Sequence, residues 1–223
     1  GETGTVFDSE TLQIKSDLLL AEMADWHGAV SLEYKSSTFA AEGEEAFTPN
    51  STTTSTSIGL LTEKHFGEIL LQLGARIESV ALSAAELKIE QIHHDEEAQE
   101  AHEERVHFNA QNFAPVSLSA GLVWDFTPGY NLGLSYTRSE RAPSAGELFS
   151  YGPHIGTGSF EVGALFELHS DYEAHFDVHD DEPEMEVANN VELSLRKFNG
   201  DLGLVVNLFY NQIDNFYYQA NTG

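Results

Sequence analysis

Residues 116–126, Val116-Ser117-Leu118-Ser119-Ala120-Gly121-Leu122-Val123-Trp124-Asp125-Phe126, alternate almost without fault. Val116, Leu118, Ala120, Leu122, Trp124 and Phe126 share one face, while Ser117, Ser119, Gly121 and Asp125 take the other. A period of two marks a strand with one apolar face, because successive Cβ atoms point to opposite sides of a sheet. The turn residues Thr127-Pro128-Gly129-Tyr130 follow, and Leu132, Leu134 and Tyr136 then alternate with Asn131, Gly133 and Ser135. Further on, Val191, Leu193 and Leu195 lead to Asn199-Gly200, a dipeptide that accepts the positive φ of a tight hairpin. Leu202, Leu204, Val206 and Leu208 return beside Gly203 and Asn207.

The same pattern runs, less cleanly, through the first half. Leu12, Ile14, Leu18 and Leu20 alternate with Gln13, Lys15 and Asp17, with Ser16 interrupting the apolar row. Val30, Leu32 and Tyr34 alternate with Ser31, Glu33 and Lys35, and a Thr- and Ser-rich stretch at 51–63 carries Ile58 and Leu60. Ile69, Leu71, Leu73 and Ile77 close the set, giving eight segments in all. Short turns are expected near 23–27, 64–67, 127–130 and 198–201, and long loops at about 37–50, 83–112 and 142–186. Strands of about 10 residues suit a tilted bilayer crossing, and outer-membrane barrels put short turns on the periplasmic side and long loops outside. Trp26, Trp124, Tyr130 and Tyr210 at strand ends fit interfacial girdles. The expected fold is therefore all-β: an antiparallel up-and-down transmembrane β-barrel of about eight strands, over residues 1–223 as one unit. A soluble antiparallel sandwich is the competing reading, since alternation alone does not separate the two. Helix is a minor component, expected from propensity over Asp95–Arg105 and as a turn or two over Ala142–Phe149.

The charge is uneven. Ten Lys and Arg face 37 Asp and Glu, a net charge of −27, which argues against nucleic acid as partner. Segments 83–112 and 142–186 hold eight and eleven of the acids, against only Lys88 and Arg105. They also hold eight of the ten histidines: His93, His94, His102 and His107 in the first, His154, His169, His175 and His179 in the second. Imidazole beside carboxylate suits Zn²⁺, with Cu²⁺ and Ni²⁺ as rivals. His175 and His179 flank Asp177, a compact group able to supply three or four donors. His93-His94-Asp95-Glu96-Glu97 and His102-Glu103-Glu104 can do likewise, whereas His27 and His65 lie at the opposite turns and are incidental. The bland alternative is a solvated, charged surface. With no cysteine there is neither disulfide framework nor thiolate site. No run of about 18 apolar residues forms a transmembrane helix, which leaves a barrel untouched. The ends, Gly1-Glu2-Thr3-Gly4 and Asn221-Thr222-Gly223, read as flanking residues, so the chain is expected to be an excised piece.

One series is specific. Arg141-Ala142-Pro143-Ser144-Ala145-Gly146-Glu147-Leu148-Phe149 is followed by Gly152-Pro153-His154, by Thr157-Gly158-Ser159-Phe160-Glu161-Val162-Gly163, and by Glu186-Val187-Ala188-Asn189-Asn190-Val191-Glu192-Leu193. In order and spacing these pieces resemble the C-terminal half of TonB-dependent outer-membrane receptors. The His-acid loops bring the resemblance closest to the zinc-uptake receptors of Gram-negative bacteria. It implies a partial barrel relative to a 22-strand receptor, with the plug domain and TonB box not found in residues 1–223. The TonB complex is then a partner of the full-length receptor only, alongside membrane lipid and a divalent metal ion carried as cargo. His154 is the position the resemblance places at the barrel mouth in contact with metal. The chain departs from the pattern in the insert 164–186, longer than the usual link.

Other readings remain beside the zinc importer. A haem or siderophore receptor of the same family would favour aromatic loops, and a loop-display or antigen fragment would present these segments to antibodies. Arg141 and Glu147 are read as an ion pair stabilising loop or lumen wall. No nucleophile elbow, phosphate loop or His-Glu-x-x-His helix occurs, so an enzyme is not expected.

Overall fold

The computed structural model describes residues 5–43, 46–92, 101–154, 158–169, 175–178 and 182–220. In chain order come β1 (Val6–Leu19), β2 (His27–Glu42), β3 (Ser51–Phe66) and β4 (Ile69–Ala84). Next are β5 (Leu87–Ile92), β6 (Ala101–Val106), β7 (Gln111–Phe113), β8 (Val116–Thr127) and β9 (Tyr130–Arg141). Then follow α1 (Ala145–Phe149), β10 (Tyr151–His154), β11 (Ser159–Val162), β12 (Phe166–His169), β13 (His175–Val178), β14 (Glu186–Lys197) and β15 (Leu204–Asp214).

Eight long strands make one antiparallel sheet in the order β1-β2-β3-β4-β8-β9-β14-β15, and β7 adds to β4. The architecture is the expected up-and-down wall. It is a barrel portion rather than a closed barrel, with β1 and β15 at its edges.

Register turns the alternation of single strands into two continuous faces. Leu18 pairs with Val30, Val30 with Leu60, Leu60 with Ala75 and Ala75 with Leu118. Beyond β8 the row continues from Leu122 to Leu134, Leu193 and Leu208. Leu18, Leu60, Leu118, Leu134 and Leu208 are all exposed. An apolar face of this extent, open on its outer side, is what a lipid-facing wall requires.

The inner face is polar and internally paired. Arg76 Nη1 lies 3.3 Å from Glu33 Oε2 and its Nη2 3.2 Å from Glu78 Oε2. Gln13 donates to Glu33 at 2.7 Å, and Gln72 to Glu63 at 2.9 Å.

Strand polarity sorts the connections. Short turns after β1, β3, β8 and β14 lie at one end, and the segments 43–50, 85–115 and 142–185 all leave the other. The two His-acid regions therefore emerge from the same rim. At the short-turn end Trp26, Phe66, Trp124, Phe126 and Tyr130 gather in edge-on and tilted pairs, with Lys64 over Trp26 and Phe66. Gly129 takes φ +84°, and a Cβ there would lie 2.3 Å from the Cβ of Asn199 in the neighbouring turn. Ala24 and Asp25 both take positive φ, at 53° and 63°, without being glycine.

The structure differs from the sequence expectation in three places. β2 runs on to Glu42, so the first long connection is 43–50 rather than 37–50. Helical propensity over Asp95–Arg105 gives way at its described end, because Ala101–Val106 pairs in register with Leu87–Ile92 as a hairpin. The third segment holds, besides the short helix expected within Ala142–Phe149 and found as α1, two hairpins, β10–β11 and β12–β13.

These insertions build a small core above the inner wall. Val80 and Leu82 of β4 pack with Leu148, Phe149 and Leu165, and Phe108, Phe113 and Tyr217 close around them. Leu148 and Phe149 are fully buried. A cap is thus fixed to the wall, and the His-acid hairpins hang from it.

Two turn substitutions should move stability in opposite directions. Gly129→Ala should lower the urea unfolding midpoint in detergent micelles, at a cost of about 1–2 kcal/mol for a side chain in left-handed backbone. Ala24→Gly should raise it, since the native Ala already carries that strain.

Candidate metal-binding face

Arg141, the last residue of β9, holds the cap to the wall. Its guanidinium forks onto Glu147 at 2.9 and 3.0 Å, and reaches Glu186, the first residue of β14, at 3.1 and 3.4 Å. Ser144 caps α1: its hydroxyl accepts from the Glu147 amide at 3.3 Å, while the Glu147 carboxylate accepts from the Ser144 amide at 2.7 Å. Burial pushes the Glu147 carboxyl upward, but Arg141 and the Ser144 amide and hydroxyl outweigh it, and the net shift is below the ordinary value of 4.5. Arg141 and Glu147 thus stabilise the cap through ion pairing, as the sequence reading holds.

His154 ends β10. Its Nδ1 hydrogen-bonds Glu161 Oε1 across the β10–β11 hairpin, and its ring stacks on Phe47 with centroids 4.9 Å apart. Phe47 belongs to the 43–50 connection, which is joined to β10. The Tyr151 amide donates to the Phe47 carbonyl at 2.6 Å, and Thr48 and Ser150 share a 3.0 Å hydroxyl bond. Glu161 and Phe47 are neighbours of His154 that sequence reasoning did not single out.

The other candidates fall in hairpins. In β12–β13, Phe166 pairs with Val178 and Leu168 with Phe176, whereas Glu167 pairs with Asp177 and His169 with His175. By alternation the first two pairs hold register positions of one face and the last two those of the other. The apolar face is anchored, since Phe166 is buried and its ring lies 5.0 Å from Tyr151 and 5.9 Å from Phe108.

In β5–β6, His102 pairs with Gln91 and Glu103 with Glu90. His107 is exposed just beyond, its Nδ1 3.7 Å from Glu86 Oε2, while Arg105 reaches Glu86 Oε1 at 3.1 Å. His93, His94 and His179 lie outside the described residues. Among the described residues, no three His, Asp or Glu side chains already gather as a ligand set.

Comparison with known proteins agrees with the barrel fold. The family described as TonB dependent receptor-like, beta-barrel matches residues 4–223, and the chain belongs to that family. It is accordingly an outer-membrane barrel portion. Among solved structures it is similar to the haemophore receptor HasR of Serratia marcescens, a double mutant in complex with its haemophore HasA and haem. The TM-score is 0.64 at 15% identity, covering 95% of this chain and 34% of that one. The chain thus spans about a third of that receptor's length, and the likeness concerns the fold.

The lowered carboxyl of Glu147 fixes the sign of a pH effect. A group whose folded value is depressed stabilises fully above its unfolded value and loses that contribution as pH falls through the folded one. Protease cleavage within 142–185 should therefore rise as pH drops below about 4.5. Glu147→Gln should remove this pH step and give intermediate cleavage at every pH.

Proposed function

We propose that this chain is the part of an outer-membrane receptor that captures a divalent metal, zinc foremost, for uptake across the membrane. The observation that carries the reading is the β12–β13 register, which sets Glu167, His169, His175 and Asp177 at the positions of one face. Directly opposed residues have Cβ atoms about 4.5–5.5 Å apart, a span that two imidazoles bridge through one ion at about 2.0–2.1 Å per bond. Carboxylates one pair further along complete a nitrogen-and-oxygen set of the kind zinc accepts.

His154 acts alongside as an imidazole oriented by Glu161, the carboxylate–histidine arrangement that raises ligand basicity. The acid around both hairpins concentrates cations at the rim before they bind. Copper and nickel fit the same donors, and the TonB complex and membrane lipid are partners of the whole receptor.

Equilibrium dialysis with Zn²⁺ at neutral pH tests the reading. The chain should bind, and the paired changes His169→Ala and His175→Ala should each weaken binding at least about tenfold, the usual order for losing an imidazole ligand or its support. Binding should also fall in mild acid as the imidazoles protonate. No binding at millimolar zinc would reject it.

A second reading, a haem receptor, draws on the likeness to HasR and on the cap's aromatic residues. Phe160 and Phe166 lie 5.0 Å from Tyr151, close to His154. Haem titration decides between them: a shifted Soret band that His154→Ala abolishes, without zinc binding, would reverse the order.

A further inference from the structure

The outer face of the wall changes chemistry partway up β2, β3 and β4. Nearer the short turns it is apolar, with Val30, Leu32 and Tyr34 on β2, Ile58 and Leu60 on β3, and Leu73 and Ile77 on β4. Towards the long-loop rim the same alternating positions become Ser36 and Thr38, then Thr56, Thr54 and Thr52, then Ser79 and Ser83.

Register aligns them as a grid. Tyr34 pairs with Thr56 and Thr56 with Ser79; Ser36 pairs with Thr54 and Thr54 with Ala81; Thr38 pairs with Thr52 and Thr52 with Ser83. Thr38, Thr56, Ser79 and Ser83 are exposed and the rest half-buried. The opposite positions on β4, Val80 and Leu82, are the ones buried under the cap, so the hydroxyls belong to the outside.

We infer that this grid is a docking surface for the neutral sugars of the glycolipid that forms the outer leaflet around the receptor. Three observations choose the occupant. The first is continuity: the grid stands directly above the lipid-facing row on the same three strands. Ser36 and Thr38 lie two and four residues past Tyr34 on β2, which places the grid roughly 5–10 Å above the last apolar position of that strand at ordinary strand rise and tilt.

The second is charge. The grid carries no Lys or Arg, and Arg138, on the same outer face of β9, is held by Glu140 at 2.5 Å, so lipid phosphate finds no open cation there. Asp8 and Glu10 on β1 beside it repel phosphate but accept hydrogen bonds from sugar hydroxyls. The third is chemistry: Ser and Thr hydroxyls each donate and accept, matching polyols, while they offer a second protein copy little apolar area to bury.

The test is photocross-linking in outer membranes carrying the 223-residue chain, with Thr54→benzoylphenylalanine as the probe position and Lys15→benzoylphenylalanine on the inner face as control. The expected product is an adduct of Thr54 with glycolipid that stains for sugar, lost when the host's glycolipid is truncated to its acylated, phosphorylated core. Lys15 should give none. A second arm pairs Thr38→Val with Thr52→Val, shape-conserving changes that suit a strand, and should diminish the Thr54 adduct. An undiminished adduct with the truncated glycolipid, a cross-link to a second copy or another protein, or no glycolipid adduct would each overturn the proposal. None of these outcomes depends on whether the loops bind metal.

Discussion

Hydrocarbon offers no partner for a peptide N–H or C=O, so every such group crossing the membrane must be paired within the protein. That constraint selects long antiparallel strands here, and it fixes their register, because a slip of one residue would swap the lipid-facing and inner rows. The line from Leu18 through Val30, Leu60 and Ala75 to Leu118 exists only because every successive pair obeys it. The rest follows: with register fixed, alternate connections share an end, and donor-rich segments far apart in sequence meet at one rim.

The rim is organised rather than merely charged. α1 lays Leu148 and Phe149 on Val80 and Leu82, and Arg141 ties that helix to the start of β14. The β12–β13 hairpin borrows this stability through Phe166, and Glu167, His169, His175 and Asp177 hold the register positions of its other face. Apolar anchoring thus takes one side of a short hairpin, and the donors of the proposed metal site take the other.

Much of this was legible in the sequence, for physical reasons. The wall strands are long enough for a period of two to repeat, and even the break at Ser16 of β1 does not hide it. The ion pair of Arg141 with Glu147 was readable from their place in one motif. The partner Glu186 was not, although the β9–β14 register that opposes it to Arg141 follows from the strand ends. The cap hairpins were missed because strands of four to six residues show no period, and because Ala101, Glu103 and Glu104 favour helix until their partner strand β5 overrides them. Glu161 lies seven residues from His154, and only a hairpin brings the two together.

X-ray absorption at the zinc edge of the loaded chain probes the ligand shell itself. If the hairpin register places the donors as argued, the shell holds about two imidazole nitrogens with carboxylate oxygen, all near 2.0–2.2 Å. An all-oxygen shell without imidazole scattering would mean that zinc merely condenses on a charged surface, and the ordered hairpin face would have no part in capture.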